Sequence, residues 1–177
     1  MSRTVFKLLM LSVFGVLAGC GLTQTVSDST ASTAKAIFYK EVKTLHLDFS
    51  ARTSLNKDGS DMLALSVPTL VRVYQLRDEK AVERASYDKL VSSDESALIG
   101  DLLDKQSVVV NPEQGMRLDV PMHQDTRFVA VVAMFRTPDT HMNTWRLTLT
   151  RDELDPDAPR VIELMDSQLT LRPLAKD

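Results

Sequence analysis

Apolar and polar residues alternate with a period of two through much of the chain beyond residue 44, and this period indicates half-buried β-strands. Leu45, Leu47 and Phe49 occupy one face of the first predicted strand, whereas His46 and Asp48 occupy the other. The pattern predicts further strands over residues 68–76, 108–110, 116–122, 128–135, 145–150, 161–164 and 169–171. The sequence therefore predicts a mainly β protein with seven or eight strands.

Residues 128–135 are almost wholly apolar, in contrast to the alternating strands. Such a run indicates a central strand buried on both faces, or a strand that a helix covers on one face. Between the second and third clear strands, the period changes to that of a helix. The residues on this helical face are Tyr87, Leu90, Val91, Leu98 and Leu102, and residues 81–85 predict another short turn. Strands with one helical insertion predict a two-sheet β-sandwich.

The N-terminal segment has the parts of a secretory signal peptide and ends like a bacterial lipoprotein signal. Arg3 and Lys7 supply positive charge, residues 8–18 are apolar, and the sequence LAGC occupies residues 17–20. The apolar stretch is too short to span a bilayer as a helix, which needs about 20 residues. Residues 1–19 are therefore predicted to be a signal peptide that is absent from the mature protein.

Cys20 is the only cysteine in the chain and stands directly after the predicted cleavage site. Its thiol suits the transfer of a diacylglycerol group, because the thiolate is the nucleophilic form of cysteine, and an N-acyl chain is expected after cleavage. Two or more acyl chains anchor a protein stably, whereas one gives marginal binding. Gly21 follows Cys20. Aspartate at this position would resemble the inner-membrane retention signal of enteric bacteria. Glycine therefore favours the inner leaflet of the outer membrane, with the domain in the periplasm.

The mature chain divides into a lipidated N-terminus, residues 20–36, and one β-sandwich domain, residues 37–177. Small hydroxyl residues dominate 21–35, so this stretch buries little surface and suits a flexible tether. A second interpretation is a short amphipathic helix with Ser27 or Asp28 as its N-cap. The sequence alone leaves both interpretations open.

The charge distribution argues against a surface that binds phosphate groups. The full chain has a formal net charge of −3, and removal of Arg3 and Lys7 with the signal leaves −5. Lysine and arginine are scattered among acidic residues, whereas nucleic-acid-binding proteins usually carry a clustered basic patch. We expect no nucleic acid as a partner, and we expect Asp94 and Glu95 on the predicted helix to be solvated.

Histidines close to carboxylates are candidates for metal or catalytic chemistry. His46 with Asp48, and His123 with Asp125, are spaced i and i+2, but a metal site usually needs about four ligands. We therefore interpret both pairs as surface polar residues. The chain also lacks a Gly-x-Ser-x-Gly sequence and a glycine-rich phosphate loop. We predict no catalytic residue, no metal, no small-molecule substrate and no cofactor apart from the covalent lipid on Cys20.

The connection after the first predicted strand, residues 52–66, is longer than most hairpin loops, which have two to five residues. Residues 56–59, Asn-Lys-Asp-Gly, are typical of a turn, whereas Leu55, Met62 and Leu63 are apolar residues in a predicted surface segment. One interpretation is that the loop binds a partner. The other is an insertion whose apolar residues fold back on the sandwich.

Two segments and one tryptophan resemble the TssJ lipoproteins of bacterial type VI secretion systems. They are Val67–Asp78 (VPTLVRVYQLRD), Phe128–Arg136 (FVAVVAMFR) and Trp145, which is also predicted to lie in the core. The resemblance extends over the mature chain from about Thr44 and implies a transthyretin-like β-sandwich with added helices. It also implies a non-enzymatic scaffold, anchored to the outer membrane, whose loop between the first two strands binds the periplasmic C-terminal region of TssM.

This resemblance makes the centre of the loop the predicted partner-binding site. The predicted contacts are Leu55, Asn56, Lys57, Asp58, Gly59, Ser60, Asp61 and Met62. Leu55 and Met62 are the predicted anchors because a few residues carry most binding energy, while Lys57 is expected to affect mainly the encounter rate. Alternatives are a lipid-anchored carrier of a small hydrophobic ligand, which requires an apolar pocket, and a periplasmic hydrolase with converging polar groups.

Overall fold

The structure is a computed structural model that describes residues 41–57 and 65–174. The predicted signal peptide 1–19, the lipidation site Cys20 and the tether or helix at 21–36 lie outside these residues, so they stay predictions. Within the described ranges, no helix has the length and apolar character that crossing a membrane requires.

Eight strands lie in the described part of the chain, and they are numbered β1 to β8 in chain order. They are β1 Thr44–Leu55, β2 Thr69–Leu76, β3 Leu102–Val110, β4 Gly115–Pro121, β5 Phe128–Ala133, β6 Arg146–Thr150, β7 Arg160–Asp166 and β8 Gln168–Leu171. Two helices, α1 (Lys80–Arg84) and α2 (Tyr87–Ala97), lie between β2 and β3. The strands form one sheet of order β4-β1-β7-β8 and a second of order β3-β2-β5-β6. The predicted sandwich with a helical insertion is confirmed.

The alternation along β1 places its apolar residues inside the sandwich. Leu45, Leu47 and Phe49 are fully buried, while His46 and Asp48 on the other face are partly exposed. β1 pairs antiparallel with β4 along one edge and parallel with β7 along the other. The inward residues of β7 include Ile162 and Leu164, which complete this side of the core. β1 is therefore an interior strand of its sheet.

β5 is buried on both faces, as its apolar run predicts. In the antiparallel register Val131 pairs with Val73 of β2, and Val132 pairs with Arg72. The Arg72 guanidinium donates a hydrogen bond to the Leu90 carbonyl of α2 at 2.7 Å, so its face of the sheet is covered by the helices. The opposite face, with Val131, packs toward the first sheet. Both interpretations of residues 128–135 are correct, because one face meets a sheet and the other meets helices.

Arg146 of β6 fixes α1 on the outer face of the second sheet. Its guanidinium donates hydrogen bonds to the carbonyls of Val82, Glu83 and Ala85, which are among the unpaired carbonyls at the end of α1. It also lies 4.9 Å from the ring centroid of Trp145. Trp145 is almost fully buried, which confirms its predicted place in the core.

The helical insertion ends earlier than the sequence predicts. α2 ends at Ala97, and Leu102, which was assigned to the helical face, begins β3 and pairs with Leu76. Gly100 adopts a φ of +91° in the turn between them, a conformation that suits glycine. Val91 is exposed, because Leu90 and Asp94, one turn apart, are the residues of α2 that face the sheet.

Asp94 is buried in a polar network, so the expectation that it is solvated is wrong. Its Oδ2 accepts a hydrogen bond from the Tyr74 hydroxyl at 3.0 Å, and it lies 3.2 Å from Arg72 Nη1 and 3.4 Å from Lys105 Nζ. Burial opposes the charge of this carboxylate, but Tyr74, Arg72 and the Glu95 amide together hold its pKa below the usual 3.8. The Glu95 side chain is exposed, as expected.

Replacement of Asp94 by asparagine is expected to lower the free energy of unfolding by roughly 1–3 kcal/mol at pH 7, because Arg72 loses its partly buried partner. Since the folded pKa of Asp94 is lowered, its stabilising effect is present above about pH 4 and is lost as the pH falls through that pKa. Urea unfolding of both chains between pH 3 and pH 7 measures the difference. A difference of equal size at both ends of that range would contradict the assignment, and Glu95→Gln is the control.

The loop between β1 and β2 and its support

The first four residues of the predicted loop, 52–55, belong to β1. After an irregularity in register, Leu55 pairs with Asp166 of β7, so the strand continues through residues 52–55. The Val67 amide donates to the Leu55 carbonyl at 3.3 Å, and the Ser66 hydroxyl donates to the Thr53 carbonyl. These two bonds close the base of the loop.

Asn56 holds the point at which the loop leaves the strand. Its side chain is buried, with 2% of the residue exposed, and its φ is +51°, a left-handed conformation that asparagine tolerates. The Asn56 amide donates to the Asp166 carbonyl at 2.6 Å, and its Oδ1 accepts from the Arg136 amide at 2.8 Å. One residue therefore joins this loop to the β7–β8 turn and to the β5–β6 loop.

A second set of contacts continues this support by one residue. The Thr137 hydroxyl donates to the Lys57 carbonyl at 3.4 Å and lies 3.3 Å from the Ser167 hydroxyl. On the other side of the strand, the Thr53 hydroxyl donates to Glu113 in the β3–β4 turn at 3.0 Å. Residues 53–57 are thus hydrogen-bonded to the β3–β4 turn, the β5–β6 loop and the β7–β8 turn. These bonds fix the direction in which the chain leaves β1.

The predicted contact residues divide into three groups in the structure. Leu55 and Asn56 are buried at the base, so their side chains offer no surface to a partner, and Leu55 belongs to the core. Lys57 is partly exposed. The remaining predicted contacts lie outside the described residues and stay predictions: Asp58, Gly59, Ser60, Asp61 and Met62.

Leu65 is an apolar residue of the same loop, and it is not among the predicted contacts. It is 61% exposed, whereas Leu55 is fully buried. The two leucines occupy opposite ends of the connection, and only Leu55 was among the predicted contacts. The signal that separates them is period: Leu55 continues the strand, and Leu65 lies in an irregular segment outside it.

The histidines take part in strand pairing and turns. His46 Nδ1 is hydrogen-bonded to Asp119, its neighbour on β4, and not to Asp48. The His46 and Arg117 side chains lower the pKa of the Asp119 carboxyl. His123 Nδ1 accepts the Asp125 amide at 3.1 Å within a turn. In residues 41–57 and 65–174, no three side chains of histidine, cysteine, aspartate or glutamate are grouped as metal ligands would be.

The family model of type VI secretion lipoproteins, which covers VasD, EvfM and TssJ, matches residues 43–172. This range contains the whole sandwich and the loop. The chain belongs to the TssJ family of type VI secretion lipoproteins. The resemblance inferred from Val67–Asp78 and Phe128–Arg136 is thereby confirmed, and the family is that of a structural lipoprotein of the secretion membrane complex.

Solved structures agree with this assignment. A chain in a structure described as a type VI membrane complex is 39% identical, with a TM-score of 0.70, and the match covers 75% of this chain and 99% of that one. A chain in a structure described as the TssM C-terminal domain from EAEC is 38% identical, with a TM-score of 0.69 and coverage of 75% and 100%. Lip from Serratia marcescens, 24% identical with a TM-score of 0.66 and coverage of 76% and 100%, shares the fold. No curated protein sequence matches the chain.

Asn56→Ala is expected to destabilise the domain by roughly 1–3 kcal/mol, because the partly buried hydrogen bond from the Arg136 amide is lost and alanine disfavours a positive φ. Asn56→Gly should cost less, since glycine accepts that φ and loses only the side-chain bond. Thermal and urea unfolding measure both changes. Lys57→Ala, one residue further, is the control with little expected effect. Wild-type stability in Asn56→Ala would show that the loop base is not held by this residue.

Proposed function

We propose that this protein is a lipid-anchored scaffold of the outer membrane that binds the periplasmic C-terminal region of TssM through the loop between β1 and β2. The observation that carries the proposal is the course of β1. The chain enters the sandwich directly before Thr44 and leaves β1 into the loop after Leu55. At about 3.3 Å per residue, the 12 residues of β1 place these two points at opposite ends of the strand, roughly 36 Å apart.

The entry end of the sandwich, defined by Val42 to Thr44, is firmly bonded. Arg151 Nη2 donates to the Val42 carbonyl at 2.8 Å, and the Met122 amide donates to the Lys43 carbonyl at 2.9 Å. From there β1 is paired with β4 and β7 along its length. A pull between the entry end and the loop would load these ladders in shear, so many hydrogen bonds would resist it together.

The lipid anchor is the part of the proposal that depends on the N-terminal sequence. Cys20 would carry the diacylglycerol and N-acyl chains, and more than one chain gives stable anchoring. Residues 21–40 separate Cys20 from Glu41, where the described structure begins. This arrangement would hold the entry end toward the inner leaflet of the outer membrane and leave the loop end facing the periplasm.

TssM is the proposed partner on two grounds. A chain 38% identical to this one occurs in a structure described as the TssM C-terminal domain, and a chain 39% identical occurs in a type VI membrane complex. The loop also presents apolar surface, since Leu65 is largely exposed. Met62 and Leu65 are the proposed anchors, because a few residues that become fully desolvated carry most of the energy of an interface. Leu55 is buried in the core at the base of the same loop.

The alternative of a hydrophobic-ligand carrier gains no support from the cavity that the structure describes at the entry end. Its lining consists of charged and polar residues, three of them arginines. A carrier of this class would need mainly apolar walls with few polar groups. The scaffold function is therefore the one that we propose.

Replacement of residues 58–64 by glycine and serine at equal length is expected to weaken binding to the TssM periplasmic region at least 100-fold. The replacement keeps Leu55, Asn56 and Val67, so the loop base stays closed. Leu65→Ala should weaken binding by about tenfold, a typical cost for losing an interface anchor. Calorimetry on residues 20–177 with Cys20→Ser measures both constants.

Ile99→Ala is the matched control for Leu65→Ala, because Ile99 is 82% exposed but lies in the turn after α2, away from the loop. It should leave the affinity unchanged. Equal affinity of the wild type and the loop replacement would place the site elsewhere on the domain. Absence of binding by the folded wild type would contradict the partner itself.

A further inference from the structure

Three arginines that are far apart in the sequence lie in one row across the second sheet. Arg77 follows β2, Arg127 precedes β5 and Arg151 follows β6. The last residue pairs of the sheet at this end are Leu76 with Phe128 and Phe128 with Thr150. Each arginine lies one position beyond these pairs. The backbone continues this register, since the Arg127 amide donates to Leu76 at 2.9 Å and the Arg151 amide donates to Arg127 at 2.8 Å. Like charges in directly opposite positions of a sheet repel each other.

This arginine row lines a cavity of about 630 Å³. The lining residues are Arg77, Asp78, Gln124, Asp125, Thr126, Arg127 and Arg151. The volume lies within the range of sites that bind small molecules or headgroups, roughly 300–1,000 Å³. Its walls are formed by charged and polar side chains, so its chemistry suits a charged ligand.

The cavity keeps a basic character although two of its lining residues are carboxylates. Asp78 is neutralised by Lys80, whose amide and ammonium both donate to it, at 2.9 and 3.0 Å. Its pKa is lowered by these bonds to Lys80. Asp125 lies 3.8 Å from Arg77. Arg127 is exposed, and among the described residues its guanidinium has no hydrogen bond or ion pair.

Arg151 has a different role from Arg77 and Arg127. Its Nη1 donates to the carbonyls of Gln124 and Thr126, both at 2.9 Å, and its Nη2 donates to Val42. It therefore shapes one wall of the cavity and connects that wall to the entry end of the sandwich. The cavity therefore lies at the entry end of the sandwich, next to Val42.

We infer that this cavity binds the phosphate of a membrane lipid headgroup, with Arg77 and Arg127 as its ligands. Guanidinium groups form paired hydrogen bonds to phosphate oxygens, and a phosphate between the arginines would relieve their mutual repulsion. The inference rests on the proposed anchor, which would hold this end close to the membrane. Bound in this way, the sandwich would stand with its entry end on the lipid and its loop end directed away.

Vesicle co-sedimentation tests the inference with residues 20–177 carrying Cys20→Ser, so that no acyl chain contributes to binding. Vesicles of phosphatidylethanolamine with phosphatidylglycerol are compared with vesicles of phosphatidylcholine. The wild type should bind the anionic vesicles, and Arg77→Gln with Arg127→Gln should weaken that binding by about tenfold or more. The matched control is Arg52→Gln with Arg117→Gln, which removes the same charge from exposed positions outside the cavity.

Equal loss of binding in both double variants would overturn the site, because only general charge attraction would then remain. No binding of the folded wild type to anionic vesicles would overturn the lipid as ligand. A parallel thermal-unfolding titration with inorganic phosphate distinguishes a lipid headgroup from free phosphate as the ligand. A rise in Tm that needs Arg77 and Arg127, without vesicle binding, would assign the cavity to free phosphate and contradict the lipid as ligand. Neither readout uses TssM, so failure here is distinguishable from failure of the proposed partner.

Discussion

β1 is hydrogen-bonded along both of its edges, and the arrangement of the two ends of the domain depends on this strand. Its pairing with β4 and β7 sets the register of the first sheet. Its inward residues, including Leu47 and Phe49, form the centre of the core. Its first residue adjoins the entry of the chain, and its last residue carries the loop. A change in the register of β1 would therefore move the core, the entry end and the loop base together.

Buried polar groups fix the parts of the fold that the apolar core leaves undetermined. Hydrophobic packing has no direction, whereas a buried hydrogen bond requires one partner in one geometry. Asp94 joins α2 to β2 through Tyr74 and Arg72, and Asn56 joins the loop to two neighbouring connections. In both cases a residue that is unremarkable in the sequence determines how a segment outside the sheets is positioned.

The sequence predicted the features that depend on local period, and it failed where distant residues meet. Alternation was sufficient for most strands, although only residues 108–110 of β3 were predicted, and the apolar run was sufficient for the central position of β5. Asn56 was assigned to the surface loop, because its burial depends on hydrogen bonds to Asp166 and to Arg136, which is 80 residues away. Arg77 and Arg127 were counted as scattered charge, since only the register of β2 and β5 brings them together.

The loop end of the domain, and not the entry end, is the end that we propose binds TssM. The most direct measurement is site-specific photo-cross-linking of the lipidated protein in cells that assemble the secretion apparatus. A photoreactive residue replaces Lys57 at the loop base or Lys80 in α1, which is exposed beside the entry end. We expect a cross-link to TssM from position 57 and none from position 80. A cross-link from position 80 alone would contradict it.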